Sequence, residues 1–299
     1  MEQKGVLLES GTNELEIVEF SVGNNKFGIN VIKVREIINP IPVVSIPHAH
    51  NYIEGIIEIR GEILPVINMA RVLGYPDSEQ PEMDKYIVTE FNMQKVIFHV
   101  HGVDKIHRIS WQQIEKPTNL YQNLDSQLIG IIRKEDGIIL LLDFEKIVVD
   151  INPETGINPN RLKRVEKRDR SQFKIVVAED SALLRKLLSD TLTEAGFRKV
   201  DFFENGKDAL AFLENAILQE PVIEKTAQLV ITDIEMPVMD GLFFTKKIKE
   251  HPLLSKLPVV IFSSLITDDL RHKGETVGAD AQVSKPEIGE LINVIDRLL

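Results

Sequence analysis

The sequence contains no cysteine, which removes disulfides and thiolate metal sites from consideration. It has one tryptophan, and no apolar run approaches the ~20 residues that a membrane-spanning helix requires. The N-terminal stretch MEQKGVLLESGTNELE lacks the basic start and apolar core of a secretory signal. These absences predict a cytoplasmic protein. Excess positive charge is missing too. The net charge is −11, with −8 over residues 1–150 and −6 over 171–299, so neither half offers the basic surface that a nucleic-acid backbone needs. Only the stretch between them is basic, with +3 over residues 151–170. Acids interrupt its run RLKRVEKRDR and two Asn-Pro steps precede it, so it reads as a solvated linker.

What is present is 299 residues of ordinary globular composition, enough for two domains. The boundaries read as a domain over 15–150, a linker over 151–172 and a second domain over 173–299. Residues 15–150 carry many short runs rich in Ile and Val, such as LEIVEFSV, KFGINVIKV, KYIVTEF and GIILLLDF. Turn signals such as Gly23-Asn24-Asn25 and Arg60-Gly61-Glu62 separate them. That pattern predicts a mostly-β domain of small barrels or a sandwich. After the linker the texture changes to strict alternation. KIVVAED is followed by a helix with Ser181 as N-cap, and four more strand–helix pairs follow, ending in a helix from Glu287. Five strands alternating with five helices, with apolar runs such as VVIF and LVIT, predict an α/β doubly wound five-stranded parallel sheet.

In such a sheet, functional groups gather at the carboxyl ends of the strands. Glu179-Asp180, Asp233, Ser263-Ser264 and Lys285 all fall there. Three carboxylates in one crevice repel one another unless a cation joins them, and oxygen ligands favour a hard ion such as Mg²⁺. One carboxylate can then attack phosphorus, while the lysine and a hydroxyl hold the phosphoryl oxygens. The constellation reads as a phosphoryl acceptor. Other motifs carry less. Gly206-Lys207 lacks the upstream glycine and following hydroxyl of a phosphate loop. His99 and His101 on one strand, with His48 and His50 near a proline, read as ordinary side chains rather than metal ligands.

From about Lys174 to Leu299 these residues resemble the response-regulator receiver family: Glu179-Asp180, Asp233 with Met236-Pro237 and Asp240-Gly241, Ser263, and Lys285-Pro286. The resemblance implies that Asp233 is the phosphorylation site and that Asp180, Asp233 and the Glu235 carbonyl bind Mg²⁺ directly. It implies Glu179 acting through water, Ser263 as the switch hydroxyl and Lys285 as a contact to the phosphoryl group. Gln282 stands where many receivers carry an aromatic switch residue. A haloacid-type phosphatase would need a second Asp two places after the nucleophile, where this chain has Glu235.

Residues 15–150 offer no nucleophile–base pair and read as a binding module. They resemble the CheW-like coupling domain of bacterial chemotaxis, most clearly in YIEGIIEIRGEILPVINMARVLG from Tyr52 to Gly74. Gly55, Arg60, Gly61 and Pro65 hold that family's pattern, and Val34 and Glu36 match an upstream element; Glu58 and Asn68 depart from it. The resemblance implies that these six matching residues lie at or near contacts with partners, the histidine kinase CheA and methyl-accepting chemoreceptors. A coupling domain followed by a receiver is the arrangement of the CheV family, which the chain resembles along its full length. That implies an adaptor at chemoreceptor arrays, regulated by phosphorylation on Asp233. The alternative is a phosphate sink that drains the kinase, with coupling incidental.

Overall fold

A computed structural model describes residues 13–91, 94–115, 127–135, 137–153, 168–220, 222–264, 266, 268–285 and 287–299. It divides into two compact units, the described part of Glu14–Gly156, and Asn13 with the described part of Ile157–Leu299. Among the described residues no helix is long and apolar enough to cross a membrane.

The N-terminal unit is built on two sheets. Strands β1 (Glu14–Val22), β2 (Asn25–Asn30), β8 (Gly102–Ser110), β9 (Ile114–Glu115), β10 (Leu128–Lys134) and β11 (Gly137–Leu142) lie in the order β8-β1-β2-β11-β10-β9. Strands β3 (Val34–Ile38), β4 (Ile53–Ile59), β5 (Glu62–Asn68), β6 (Lys85–Phe91) and β7 (Gln94–Val100) lie in the order β3-β6-β7-β5-β4. Each sheet packs an apolar cluster of its own, and further apolar side chains such as Phe20 and Phe98 are buried beside it. Leu15, Ile17, Ile109, Ile132, Ile139 and Leu141 fill the first, and Ile57, Leu64, Val66, Tyr86, Val88 and Ile97 the second. In the second sheet the edges meet. Val44 and Ile56 exchange backbone hydrogen bonds of 2.9 Å, and Glu36 on β3 pairs with Arg60 at the end of β4. Two short helices, α1 (Met69–Leu73) and α2 (Phe144–Ile151), are capped by Asn68 and Asp143.

The C-terminal unit is a five-stranded, all-parallel sheet. Its strands are β12 (Lys174–Ala178), β13 (Lys199–Phe203), β14 (Leu229–Thr232), β15 (Val259–Ser263) and β16 (Ala281–Ser284), in the order β13-β12-β14-β15-β16. Its helices are α3 (Ala182–Glu194), α4 (Gly206–Gln219), α5 (Gly241–Glu250), α6 (Asp268–Thr276) and α7 (Ile288–Leu298). The central strands β12, β14 and β15 are buried on both faces, which is why they read as mostly apolar runs, whereas the edge strands β13 and β16 carry polar residues. Ile175 and Val177 pack with Leu188 and Leu192 of α3 and with Leu291, Ile292 and Ile295 of α7. Val176 and Ala178 pack on the other face with Ala209 and Leu213 of α4 and with Phe244 and Ile248 of α5.

The end of the segment read as linker belongs to this unit's packing. Arg170 is 3% exposed, and its guanidinium holds Asp296 through two hydrogen bonds of 2.6 Å. It also donates to the Ala195 carbonyl at 2.5 Å and lies over the Phe197 ring. A bidentate pair so enclosed fixes orientation as well as charge. The backbone at Arg168 comes so close to Gly196 that a Cβ there would meet its carbonyl oxygen at 1.9 Å. Residues 154–167 of the segment, including most of its basic run, lie outside the described residues, as does Pro286.

Candidate functional site

Parallel strands that stop in register deliver their next residues to one edge. Glu179 and Asp180 follow β12 and Asp233 follows β14; Ser263 closes β15 and Lys285 follows β16. The Asp233 N–H donates to the Ala178 carbonyl at 3.0 Å, and the Lys285 N–H to the Ser263 carbonyl at 2.9 Å, so neighbouring strands set both positions. Glu179, Asp180 and Asp233 each offer one carboxylate oxygen within 4.8 Å of the others. The Lys285 ammonium donates to Glu179 Oε2 and to Asp233 Oδ2, both at 2.8 Å. Asp233 Oδ1 accepts from the Ile234 N–H at 2.6 Å. The structure brings together Glu179, Asp180, Asp233 and Lys285, with Ser263 fully buried at the end of the adjoining strand.

The electrostatics follow from that crowding. Burial raises the pKa of Glu179, the Lys285 ammonium opposes the rise, and Asp233 adds to it. Asp180 is held well above the ordinary carboxylate value by loss of hydration and then by repulsion from Glu179 and Asp233. Asp180 is exposed, and Glu179 and Asp233 are the carboxylates that repel it most. One ammonium among three acids leaves the cluster short of positive charge. Three hard oxygen donors with unbalanced charge fit a cation such as Mg²⁺.

The loop after Asp233 is shaped by two close approaches. A Cβ on Gly241 would lie 1.8 Å from the carbonyl oxygen of Asp233, so only glycine lets α5 start directly behind that residue. Asp240 caps that helix by accepting from the Phe243 N–H at 2.8 Å. Glu235 is half-buried in the same loop. Gln282, at the aromatic position, donates from Nε2 to the Arg271 carbonyl at 2.7 Å and packs against Gly274 of α6. Its Oε1 is buried with no hydrogen-bond partner among the described residues.

In the N-terminal unit, Arg60 and Gly61 form the two-residue turn between β4 and β5, with φ of 52° and 84°. Positive φ at both positions is the twist that matches a hairpin, and it throws the Arg60 side chain outward. There it is 80% exposed and pairs with Glu36 at 2.8 Å. Val34, Glu36 and Pro65 are half-buried, Gly61 is exposed and Gly55 is buried. Gly55 thus lies beneath that surface: a Cβ there would meet the Val44 carbonyl oxygen at 2.2 Å. Sequence reasoning passed over Val44 and Ile63, apolar side chains that are 66% and 67% exposed. Ile63 takes an outward position on β5, whereas Val44 lies outside the strands and joins Ile56 by an isolated bridge.

His99, read as an ordinary side chain, joins two carboxylates, Glu54 on β4 and Asp84 just before β6. Its Nδ1 bonds Glu54 at 2.8 Å and its Nε2 bonds Asp84 at 2.9 Å. The acids lie on opposite ring nitrogens, so the arrangement is an ion-paired histidine and not a ligand cluster. Asn68, at a position the CheW-like pattern gives to Asp, donates its amide to Glu54 at 2.6 Å and caps α1. Burial works against a charged His99, yet its bonds and charge contacts with Glu54, then Asp84, raise its pKa above the ordinary 6.5. Burial also opposes ionisation of Glu54, but His99 and Asn68 hold it below 4.5. Burial and the same two acids push Tyr86 up to about 12.

The raised His99 stabilises fully below 6.5, and that contribution is lost as pH rises through its folded value. The lowered Glu54 stabilises fully above 4.5, and its contribution is lost as pH falls through its folded value. Both act in full between those limits. Thermal unfolding of the wild type will therefore show an N-terminal transition that weakens as pH rises above 6.5, and His99→Gln will flatten that limb. An equal alkaline decline in His99→Gln would refute the assignment.

Comparison with known proteins adds the following. A CheW-like domain model matches residues 16–152, and a response regulator receiver domain model matches residues 175–296. Chemotaxis protein CheV3 of Helicobacter pylori is 30% identical over 301 residues, covering 96% of this chain and 95% of its own. Chemotaxis protein CheW of Thermotoga maritima is 27% identical over 150 residues, covering 50% of this chain and 98% of its own. Among solved structures, scaffolding protein TtCheW from Thermoanaerobacter tengcongensis matches with a TM-score of 0.40 and 27% identity, over 43% of this chain and 88% of its own. Chemotaxis response regulator CheY4 of Vibrio cholerae matches with a TM-score of 0.36 and 27% identity, over 42% of this chain and 98% of its own. With both domains matched in this order, and a relative 30% identical along nearly the whole of both chains, the chain belongs to the CheV family of chemotaxis proteins, a CheW-like domain joined to a response-regulator receiver.

Proposed function

We propose that this chemotaxis coupling adaptor bridges chemoreceptors and the histidine kinase CheA through its CheW-like domain, and that its receiver takes a phosphoryl group from the kinase onto Asp233. The observation that carries the reading is the Lys285 ammonium set 2.8 Å from both Glu179 and Asp233, with Asp180 completing the acidic cluster. An adaptor of this type is not a classical enzyme. What chemistry it has is its own modification.

Asp233 attacks the phosphorus of the kinase phosphohistidine. The new bond joins its carboxylate oxygen to phosphorus, the P–N bond breaks, and the imidazole leaves and takes up a proton. Water later cleaves the acyl phosphate, releasing inorganic phosphate and restoring the carboxylate. Glu179, Asp180, Asp233 and the Glu235 carbonyl would hold Mg²⁺, which supplies positive charge against the phosphoryl oxygens. Lys285 lies where its ammonium can leave the carboxylates for the phosphoryl group, and Ser263 supplies a hydroxyl on the neighbouring strand. The modified receiver then shifts between two states and retunes coupling. Glu36 and Arg60, paired at an exposed hairpin, belong to the coupling surface, with Val34, Gly61 and Pro65 beside them and Gly55 supporting them from below.

The test is phosphotransfer from radiolabelled phospho-CheA, with Mg²⁺ and with EDTA. Wild type will take up label only with Mg²⁺, and Asp233→Ala will take up none. Failure of wild type to accept label from an active donor would leave the function resting on the CheW-like domain alone. A phosphate sink would accept label equally well yet leave kinase activity in receptor complexes unchanged.

A further inference from the structure

We propose that Arg185 is a positioning residue for the acceptor site, setting the backbone of the Glu179–Asp180 turn and through it the placement of two of the three clustered carboxylates. This rests on the Mg²⁺-dependent reading above. Arg185 lies in the first turns of α3 and reaches back over the helix N-cap. Its Nη1 donates to the Glu179 carbonyl at 2.8 Å and to the Asp180 carbonyl at 2.7 Å. Its Nη2 donates to Glu204 Oε1 at 3.1 Å, just past the end of β13. The guanidinium therefore ties the carboxyl ends of two neighbouring strands together.

The two carbonyls lie in a gap between regular structures. Strand pairing of β12 runs to Ala178, and the first backbone acceptor inside the helix is Ser181, which takes the Arg185 N–H at 2.8 Å. The turn between them carries acids that repel each other and Asp233. Repulsion works to splay such a turn, and Nη1, donating to both of its carbonyls while Nη2 is anchored on Glu204, resists that motion. Three further contacts fix the same turn: Glu179 Oε1 accepts from the Ser181 N–H at 3.2 Å, the Ser181 hydroxyl from the Leu184 N–H at 3.3 Å, and the Phe203 carbonyl from the Glu179 N–H at 2.9 Å. Of these groups only Arg185 holds the Asp180 backbone. Lysine cannot reproduce the grip, because one ammonium does not span two carbonyls and a carboxylate as a rigid plane.

Calorimetric titration of the full-length protein with MgCl₂, beside thermal unfolding in EDTA, tests the proposal. Arg185→Ala will weaken Mg²⁺ binding about tenfold, the effect usual for outer partners of a metal site. Arg185→Lys will weaken it by less, and Glu204→Gln, which keeps an acceptor for the guanidinium, will leave it unchanged. A merely structural Arg185 would lower the unfolding midpoint with no change in Mg²⁺ affinity, and that result would overturn the proposal. If Arg185→Ala does not fold, Arg185→Lys decides: wild-type affinity overturns the proposal and weakened affinity supports it. No Mg²⁺ binding by wild type would instead count against the acceptor reading on which the proposal rests.

Discussion

Lys285→Met will lower the receiver's unfolding midpoint in EDTA by roughly 10 °C, the equivalent of ~3 kcal/mol in a domain of this size. Methionine keeps most of the alkyl stem, so the variant reports on charge more than on packing. The ammonium it removes is 2% exposed and bonds two buried carboxylates at 2.8 Å each. Breaking a buried ion pair from one side is costly because the other side stays behind, desolvated and unpaired. Here two acids stay behind, with Asp180 alongside. Added Mg²⁺ will recover much of the lost stability, since a divalent cation meets the same need for positive charge. Phosphotransfer will not recover with it and will stay at least ~100-fold below wild type, the usual loss when one donor to a charged transition state is removed. A variant as stable as wild type in EDTA would mean that the acids carry no unbalanced charge. The case for a cation site would then fail.

Much of this site was legible in the sequence because a doubly wound sheet converts order along the chain into position in space. Runs such as VVIF and LVIT are short and apolar but for Thr232, as suits strands buried on both faces. The residue after each run then falls at one edge, so Glu179, Asp180, Asp233, Ser263 and Lys285 could be read off as neighbours. Arg185 was not legible, because two of its partners are backbone carbonyls, which no side-chain pattern reveals, and the third, Glu204, follows a different strand. Arg170 was hidden for another reason. It stands in a basic, Pro-containing stretch that looks solvated, and its partner Asp296 lies 126 residues further on. In the N-terminal domain the strands were visible but their pairing was not. Alternation shows which face of a strand is buried, yet β2 pairs in parallel with β11, and β5 with β7, across long stretches of chain. His99 illustrates the same limit, since its two acids come from segments 45 and 15 residues away.

Gly55→Ala will destabilise the CheW-like domain by ~3 kcal/mol and abolish its partner binding, whereas Gly61→Ala will cost ~1 kcal/mol. Both glycines belong to the same hairpin region and both have positive φ, 155° at Gly55 and 84° at Gly61. Their surroundings differ. A Cβ at Gly61 meets nothing within 4 Å, so alanine there carries only the conformational cost. A Cβ at Gly55 meets the Val44 carbonyl oxygen at 2.2 Å and a Val43 methyl at 2.6 Å. The backbone of Val44 cannot retreat freely, because its N–H and carbonyl are both bonded to Ile56 at 2.9 Å. Relief must come from breaking that bridge or from tilting β4, and β4 leads directly into the turn that presents Arg60 to Glu36. Thermal unfolding of both variants, with binding to the isolated regulatory domain of the kinase, separates the two costs. Labelling of Asp233 by a small phosphoryl donor serves as the control for an intact receiver. Equal losses in the two variants would mean that Gly55 supplies backbone conformation alone, and that something other than the closeness of Val44 sets the hairpin's place.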